Sequence, residues 1–466
     1  MEPETQQPER SPRKRRLKRV AKWLGFVLLL GAVGLVGVES WRQYRISEAV
    51  GEYEVLLAEV DKRILKGQTP EEYFRNRVEG TNGWHVFDQM RKKVVEIEKE
   101  LDATERPEDA DDEWEKPSLD RFTGWAGCQI DGEDPTHSEQ LTDADLWFYL
   151  DKSFPLVGLA SSLKRYDVVA ELPSASLKNS DIMPTIYAVR TLQARVVALH
   201  HLKIEKAEVW DEFLAVIALT EKMVYPIHLV DLMISQGIKG VAWELASYIA
   251  THTPVPSHVL AEVARYEPEH GRLLRLMHHA CAGEPIATKL WLKTDEWVLY
   301  AGWFDWIWSE ENYALTLWHE SPSQFSYPLE ARKAVHTMTA SNLYALTQIE
   351  HGSFPEDPPL EPNEWGKLLV ISWSKMSTDV KFKAREIDLN KCAVKIEHLR
   401  RQKADQALSR EDVESVLKAS SGIEAVWKPD SLELRMIFDD VSKQETDETS
   451  EEAFRKRYPG ISLPLK

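Results

Sequence analysis

Cysteine is scarce in this chain. Cys128, Cys281 and Cys392 are the only three in 466 residues, with no CxxC and no two close enough in sequence to form a metal-ligand pair. That excludes a disulfide-stapled scaffold and a zinc ribbon. Two readings stay open: one disulfide with a thiol left over in an oxidising compartment, or three free buried cysteines. Catalytic signatures are also lacking. There is no His-Glu-x-x-His, no glycine-rich phosphate loop and no Gly-x-Ser-x-Gly elbow, so zinc hydrolase, nucleotide-binding and serine hydrolase readings have no support and no cofactor is expected. Positive charge is in deficit. The net charge is −18 although residues 1–22 are strongly basic, so the remainder is more acidic still. Such a surface has no face for a phosphate backbone, which sets nucleic acid aside as a partner. A recurrence at 34 residues is absent too, so a tetratricopeptide array is not indicated.

Long apolar runs are equally rare, and the one present carries most of the information. Trp23 to Val38 is uncharged and mostly apolar, and it follows Arg13, Lys14, Arg15, Arg16, Lys18, Arg19 and Lys22. Sixteen helical residues span about 24 Å of a hydrocarbon core of roughly 30 Å. Trp23 and Trp41 at the interfaces, with Lys22 and Arg42 snorkelling outward, extend that reach. A cleaved signal peptide has the same outline, but Val38-Glu39-Ser40 is a poor cleavage site and the basic segment is long. Trp125-Ala126-Gly127-Cys128 has the look of a lipoprotein site, yet no apolar signal precedes it. The expectation is an uncleaved single-pass signal-anchor in the inner membrane. Its basic end is cytoplasmic, near anionic lipid heads, and the bulk of the chain is periplasmic or extracytoplasmic.

Beyond the anchor the pattern is helical. Ile46, Val50, Tyr53, Leu57, Val60 and Ile64 form a seam at alternating four and three spacing. It suits either packing on the chain's own domain or a homodimer through residues 46–64. Thr69, Pro70 and Glu72 predict a capped helix start. Residues 101–140 read as an acidic linker, and helical patterning returns at Thr142. The strongest signal runs from Thr185 to Ala250, with a hairpin turning at Glu205 to Ala207 and His200-His201 closing the helix before it. Helices continue from Leu368 to Leu417, broken near Ala404 to Ser409. Two short apolar runs, Ile423 to Trp427 and Leu432 to Phe438, flank Lys428-Pro429-Asp430-Ser431 and predict a β-hairpin. The expected fold is mainly α: an N-terminal transmembrane helix, then an irregular helical bundle or solenoid-like helical-hairpin domain, then a small C-terminal β-hairpin. Its parts are a tail (1–22), an anchor (23–41), juxtamembrane helices (42–100), the linker, a main helical domain (141–355), C-terminal helices with the hairpin (356–438) and an acidic tail (439–466) in which Asp439 to Glu452 reads as a solvated extension.

Two clusters have the residue types that chemistry uses. Six of the seventeen tryptophans fall between Trp291 and Trp318. Trp291, Trp297, Trp303, Trp306 and Trp308 form the candidate partner or ligand surface, because indoles anchor protein contacts, sit at membrane interfaces and stack on sugars. Trp297, Phe304 and Trp308 share a helical face while Trp303 and Trp306 point elsewhere, which also fits burial on several sides. Asp295, Glu296, Asp305, Glu310 and Glu311 interleave with them, and paired carboxylates beside aromatics are what glycoside cleavage requires. At 29% charged residues such acids are expected near any helix, and nothing singles out a pair. His278, His279 and Cys281, with Glu269 and His270 upstream, are metal-capable but poorly spaced, and read as solvated or capping residues. No catalytic and no metal residues are assigned.

The basic tail and single span, the segment from Thr81-Asn82-Gly83-Trp84 to Met90, the Thr191 to Met223 hairpin, and His228-Leu229-Val230-Asp231 to Trp243 occur in that order. This layout resembles a group of uncharacterised bacterial single-span membrane-anchored proteins with a large helical exported domain. Cys392 to Arg401 occupies the place of a late helix in that group. The resemblance implies an address and a helical architecture, and it transfers no site residues. The expected function is a membrane-tethered helical interaction or scaffold protein of the cell envelope with an envelope protein partner. The alternative is an envelope glycan-active hydrolase using carboxylates near the Trp291 to Trp318 cluster.

Overall fold

The computed structural model describes residues 51–78, 80–105, 115–132, 140–170, 182–204, 207–223, 229–253, 255–293, 327–359, 372–403, 408–420, 422–439 and 450–464, with isolated positions between 37 and 44. The chain forms two compact units. One comprises residues 1–59, 300–338 and 361–370, the other 60–299, 339–360 and 371–466. In the first, the described residues are chiefly the helical stretches 51–59 and 327–338. Nearly all of the expected anchor lies outside the described residues. Among the described residues no helix is long and apolar enough to cross a membrane.

The second unit opens at Val60 and Ile64, both buried, so this part of the 46–64 seam is consumed inside the chain. A π-helical turn, Asp61–Leu65, breaks the seam's register and ends in a left-handed Lys66. Helix α1 (Pro70–Asn76) starts as expected: Thr69 accepts from the Glu72 amide while the Glu72 carboxylate accepts from the Thr69 amide, a reciprocal cap contributing about 1 kcal/mol.

Next come α2 (Trp84–Asp102), α3 (Leu119–Asp131), α4 (Asp143–Leu163), α5 (Ile182–His201), α6 (Ala207–Lys222), α7 (Leu229–His252) and α8 (Ser257–Ala264). Helix α5 packs against α2, α3, α4, α6 and α7, which makes this region a bundle around one central helix. A solenoid repeat would touch only its neighbours. The capped start at Thr142, the helix end at His201 and the α5–α6 hairpin all match the sequence pattern.

Helix α3 corrects the reading of 101–140 as an acidic linker. Leu119, Phe122, Trp125 and Ala126 recur on one face and are buried; the Phe122 ring stacks on Tyr149 at 4.8 Å, and Ser118 caps the helix. Acidic runs on both sides hid thirteen amphipathic residues.

The Thr81-Asn82-Gly83-Trp84 segment is a clip. Asp167 accepts from the Thr81 amide and hydroxyl at 2.8 and 2.9 Å, Asn82 exchanges bonds with the backbone of Ala170, and the Gly83 amide donates to the Val168 carbonyl at 2.8 Å. Gly83 is required by close approach, since a Cβ there would lie 2.9 Å from the Tyr166 ring. The clip fixes the start of α2 to the chain leaving α4.

After α9 (Leu273–Lys293) and α10 (Tyr327–Glu350) comes α11 (Trp373–Lys403), then α12 (Arg410–Leu417), β1 (Ile423–Trp427), β2 (Ser431–Met436), α13 (Glu451–Arg457) and β3 (Ile461–Pro464). Helix α11 lies along α7 and α8 and also underlies the sheet. Ile387 and Val394 enter the helical core, whereas Phe382, Leu389, Cys392 and Ile396 enter a second core with Leu432, Leu434, Phe454 and Leu463. The expected hairpin is present, with Ile423 opposite Met436 and Trp427 opposite Leu432. A third antiparallel strand extends it in the order β1-β2-β3. This corrects the reading of 439–466 as an acidic tail: Phe454 is fully buried beneath the sheet and Leu463 on its inner face, while most of Asp439 to Glu452 lies outside the described residues.

Candidate functional site

Of the candidate surface, Trp297, Trp303, Trp306 and Trp308 lie outside the described residues, as do Asp295, Glu296, Asp305, Glu310 and Glu311; Trp291 falls in α9, its side chain outside what is described. His278 and His279 are half-buried, not solvated. Burial lowers the pKa of both, and beside Arg77 and His278 the His279 imidazole falls to about 4. The three cysteines are free. Cys281 and Cys392 are buried, which pushes both thiols up, Cys392 to about 11.

What the fold gathers is a buried ionic cluster where α6, α7, the turn before α9, and α11 meet. Lys239 donates to Glu269 at 2.8 Å, Lys391 lies 2.8 Å from Glu221 and 3.6 Å from Glu269, and Arg272 reaches Glu221 at 2.9 Å. The Trp243 indole N–H donates to Glu221 at 2.8 Å, and the Gln236 amide donates to Glu269 at the same distance. Asp388 accepts the Glu269 amide at 2.5 Å and the His270 amide at 3.0 Å, holding the turn that leads into α9. Lys391 also donates to the Glu267 carbonyl, and its ammonium lies 4.8 Å from the Trp243 ring.

Lys239, Lys391, Glu269 and Asp388 are each 1% exposed or less. Burial opposes ionisation of Glu269, but Lys239, Lys391 and Arg272, with Gln236, overcome it and hold the carboxyl at about 2. Glu221 is likewise lowered against its burial by Lys239 and Lys391. Asp388 goes the other way. Burial dominates there and lifts it to about 6, against the two backbone amides and Lys391. Three carboxylates and three cations therefore balance in a largely buried cluster, only Arg272 reaching partly toward solvent. The arrangement ties α6, α7, the turn before α9 and α11 together.

Two further clamps act alike. Arg195 on α5 meets Glu212 on α6 at 3.0 and 3.1 Å and donates to Ser153 and the Leu150 carbonyl on α4. Arg401, held by Glu397 at 2.6 Å, donates to the carbonyls of Ala250, Thr253 and Val255, satisfying the open end of α7.

Of this cluster, sequence reasoning reached Glu269 and His270 as part of a poorly spaced metal-capable set and Trp243 as part of an apolar helical segment, and gave none of them this role. A signal existed: Leu232, Gln236, Lys239 and Trp243 lie on one helical face at four, three and four spacing, and Glu221 follows Phe213 and Ile217 at intervals of four. Polar residues standing on an apolar stripe mark buried pairs. No protein-family model, curated protein or solved structure matches this chain.

Proposed function

We propose that this chain is a membrane-tethered helical interaction protein of the cell envelope, anchored by residues 23–41 with its N-terminus cytoplasmic and its folded region outside. The anchor rests on the basic run ahead of one apolar segment in a chain that is otherwise acidic. The interaction reading is carried by one observation on the folded region. Trp147 and Phe154, two turns apart on the outward face of α4, are 54% and 65% exposed, whereas Trp125, Trp243 and Trp373 are buried. Exposed indoles of this kind are what partner surfaces concentrate. The described ionic clusters, neutralised internally, leave surface rather than buried reactive groups for function.

Two measurements test the reading. A periplasm-dependent reporter fused after Lys466 should be active, and the protein should stay with membranes at alkaline pH; a cleaved or cytoplasmic product ends the anchor proposal. A protein recovered stoichiometrically with the full-length chain in mild detergent should be lost from the Trp147→Ala/Phe154→Ala variant while its helical circular dichroism persists. Unchanged recovery moves the surface elsewhere, the Trp291 to Trp308 segment being next to test.

A further inference from the structure

The exposed edge of the C-terminal sheet carries a feature independent of the anchor. Hydrogen bonds from Lys428 to the Ser431 carbonyl and from Ile437 to the Gly422 carbonyl fix the phase of the β1–β2 ladder. In an antiparallel pair only alternate residues face the partner strand. Gly422, Glu424, Val426 and Lys428 therefore face β2, and the amides and carbonyls of Ile423, Ala425 and Trp427 face away. Among the described residues none of those groups has a hydrogen-bond partner, and β1 is the end strand of the sheet. The opposite edge is treated differently. On β3 the outward residues are Ser462 and Pro464, and the proline has no N–H to offer.

Edge strands are ordinarily blunted by proline, lysine or a bulge. Ile423 to Trp427 has none of these, and its register with β2 is regular. Its one charge, Glu424, is already matched by Arg435 at 2.7 Å and Arg455 at 3.0 Å. Half-buried Ala425 and Trp427 lie along this edge, with half-buried Val416 and Leu417 beside them.

We infer that β1 pairs antiparallel with β1 of a second copy of this chain, about a two-fold axis at Ala425, joining two three-stranded sheets into one. The strand is self-complementary about that residue. Ala425 faces its own copy, Ile423 faces the copy's Trp427, and all three outward residues exchange hydrogen bonds. The small side chain falls where the axis brings identical residues together. On the solvent face Glu424 stands opposite Val426 of the copy. Sliding by one step either way leaves only two of the three residues paired, and one slide sets Glu424 against Glu424, a like-charge pair.

Sedimentation equilibrium on the full-length protein in mild detergent reads the result. The wild type is expected to weigh two chains at micromolar concentration. Ala425→Pro, which removes an outward N–H and no bond to β2, should weaken the dimer at least tenfold while helical content and thermal unfolding stay near wild type. Glu424→Cys/Val426→Cys places thiols on a non-hydrogen-bonded pair about 4.5 Å apart at Cα, within disulfide reach, so mild oxidation should cross-link two chains where the wild type does not cross-link. A one-chain wild type overturns the inference. So does a dimer that survives Ala425→Pro with no cross-link in the double-cysteine variant, since pairing then lies elsewhere, residues 46–64 included. If Ala425→Pro misfolds, the cross-link alone decides.

Discussion

Glu269 shows how much a single side chain can organise. It is fully buried and pairs with Lys239 at 2.8 Å, and its own amide is held by Asp388. Glu269→Gln leaves Lys239 and Lys391 short of a counter-charge, and breaking a buried pair in this way costs about 3–5 kcal/mol. Trp243→Phe keeps most of the ring and removes one charge-assisted hydrogen bond to Glu221, costing about 1–3 kcal/mol. Urea unfolding followed by circular dichroism should rank the two variants in that order; equal losses would mean that the indole fills space more than it holds Glu221. Residues of this kind were half legible. Thr69, Pro70, Glu72 and Thr142 announce their helices because caps are local, requiring only neighbours three positions away. Lys391 announces nothing. Its partners Glu221 and Glu269 lie on other elements far along the chain, and a lysine on a polar-looking helix reads as solvated until something covers it.

Among the elements, α11 resisted reading most. Its apolar residues wrap the helix because one side meets α7 and α8 and another meets the sheet, so no single stripe emerges from Trp373–Lys403. Its end was legible, since the break before the Ser409–Asp412 capping box is local. Helix α3 was missed for the opposite reason: its stripe is clear, but the acidic residues around it dominated the composition. The β1–β2 hairpin followed from its turn, whereas β3 is too short to stand out before it pairs. The clip between Thr81–Trp84 and residues 166–170 offers an element-level test. Gly83→Ala forces its new methyl into the Tyr166 ring and Leu163, and should cost about 1–3 kcal/mol by overpacking. Thermal unfolding reads this directly; an unchanged midpoint would show that the clip gives way freely.

For the whole molecule, the opposed shifts in the ionic cluster contribute to the response to acid. Glu269, held at about 2, and Glu221, also lowered, contribute stability that is present above the ordinary carboxylate range and is lost as pH falls toward about 2. Asp388, raised to about 6, contributes with the opposite sign. The folded state takes up its proton first, so stability rises as pH falls from about 6 toward the ordinary aspartate value of 3.8. His279, lowered to about 4, and His278, also lowered, act against it, since the unfolded chain takes up their protons first and stability falls as pH drops below the ordinary imidazole range. The Asp388 contribution is therefore read as a difference: the melting temperature of the wild type minus that of Asp388→Asn should grow as pH falls from 7 to about 4, and a difference that stays constant with pH would count against the assignment.

Helix α11 also sets an order of events in time. The acids at 221 and 269 are made early, and the Lys391 that neutralises them is made more than a hundred residues later. At translation speeds of roughly 5–20 residues per second, that gap is on the order of ten seconds. Throughout it the middle of the chain has its carboxylates without one of their cations, and α7 and α8 without the helix that covers them. The bundle is thus completed by its own late-arriving segment. The face of α7 and α8 that α11 covers stays open until residues 373–403 have emerged.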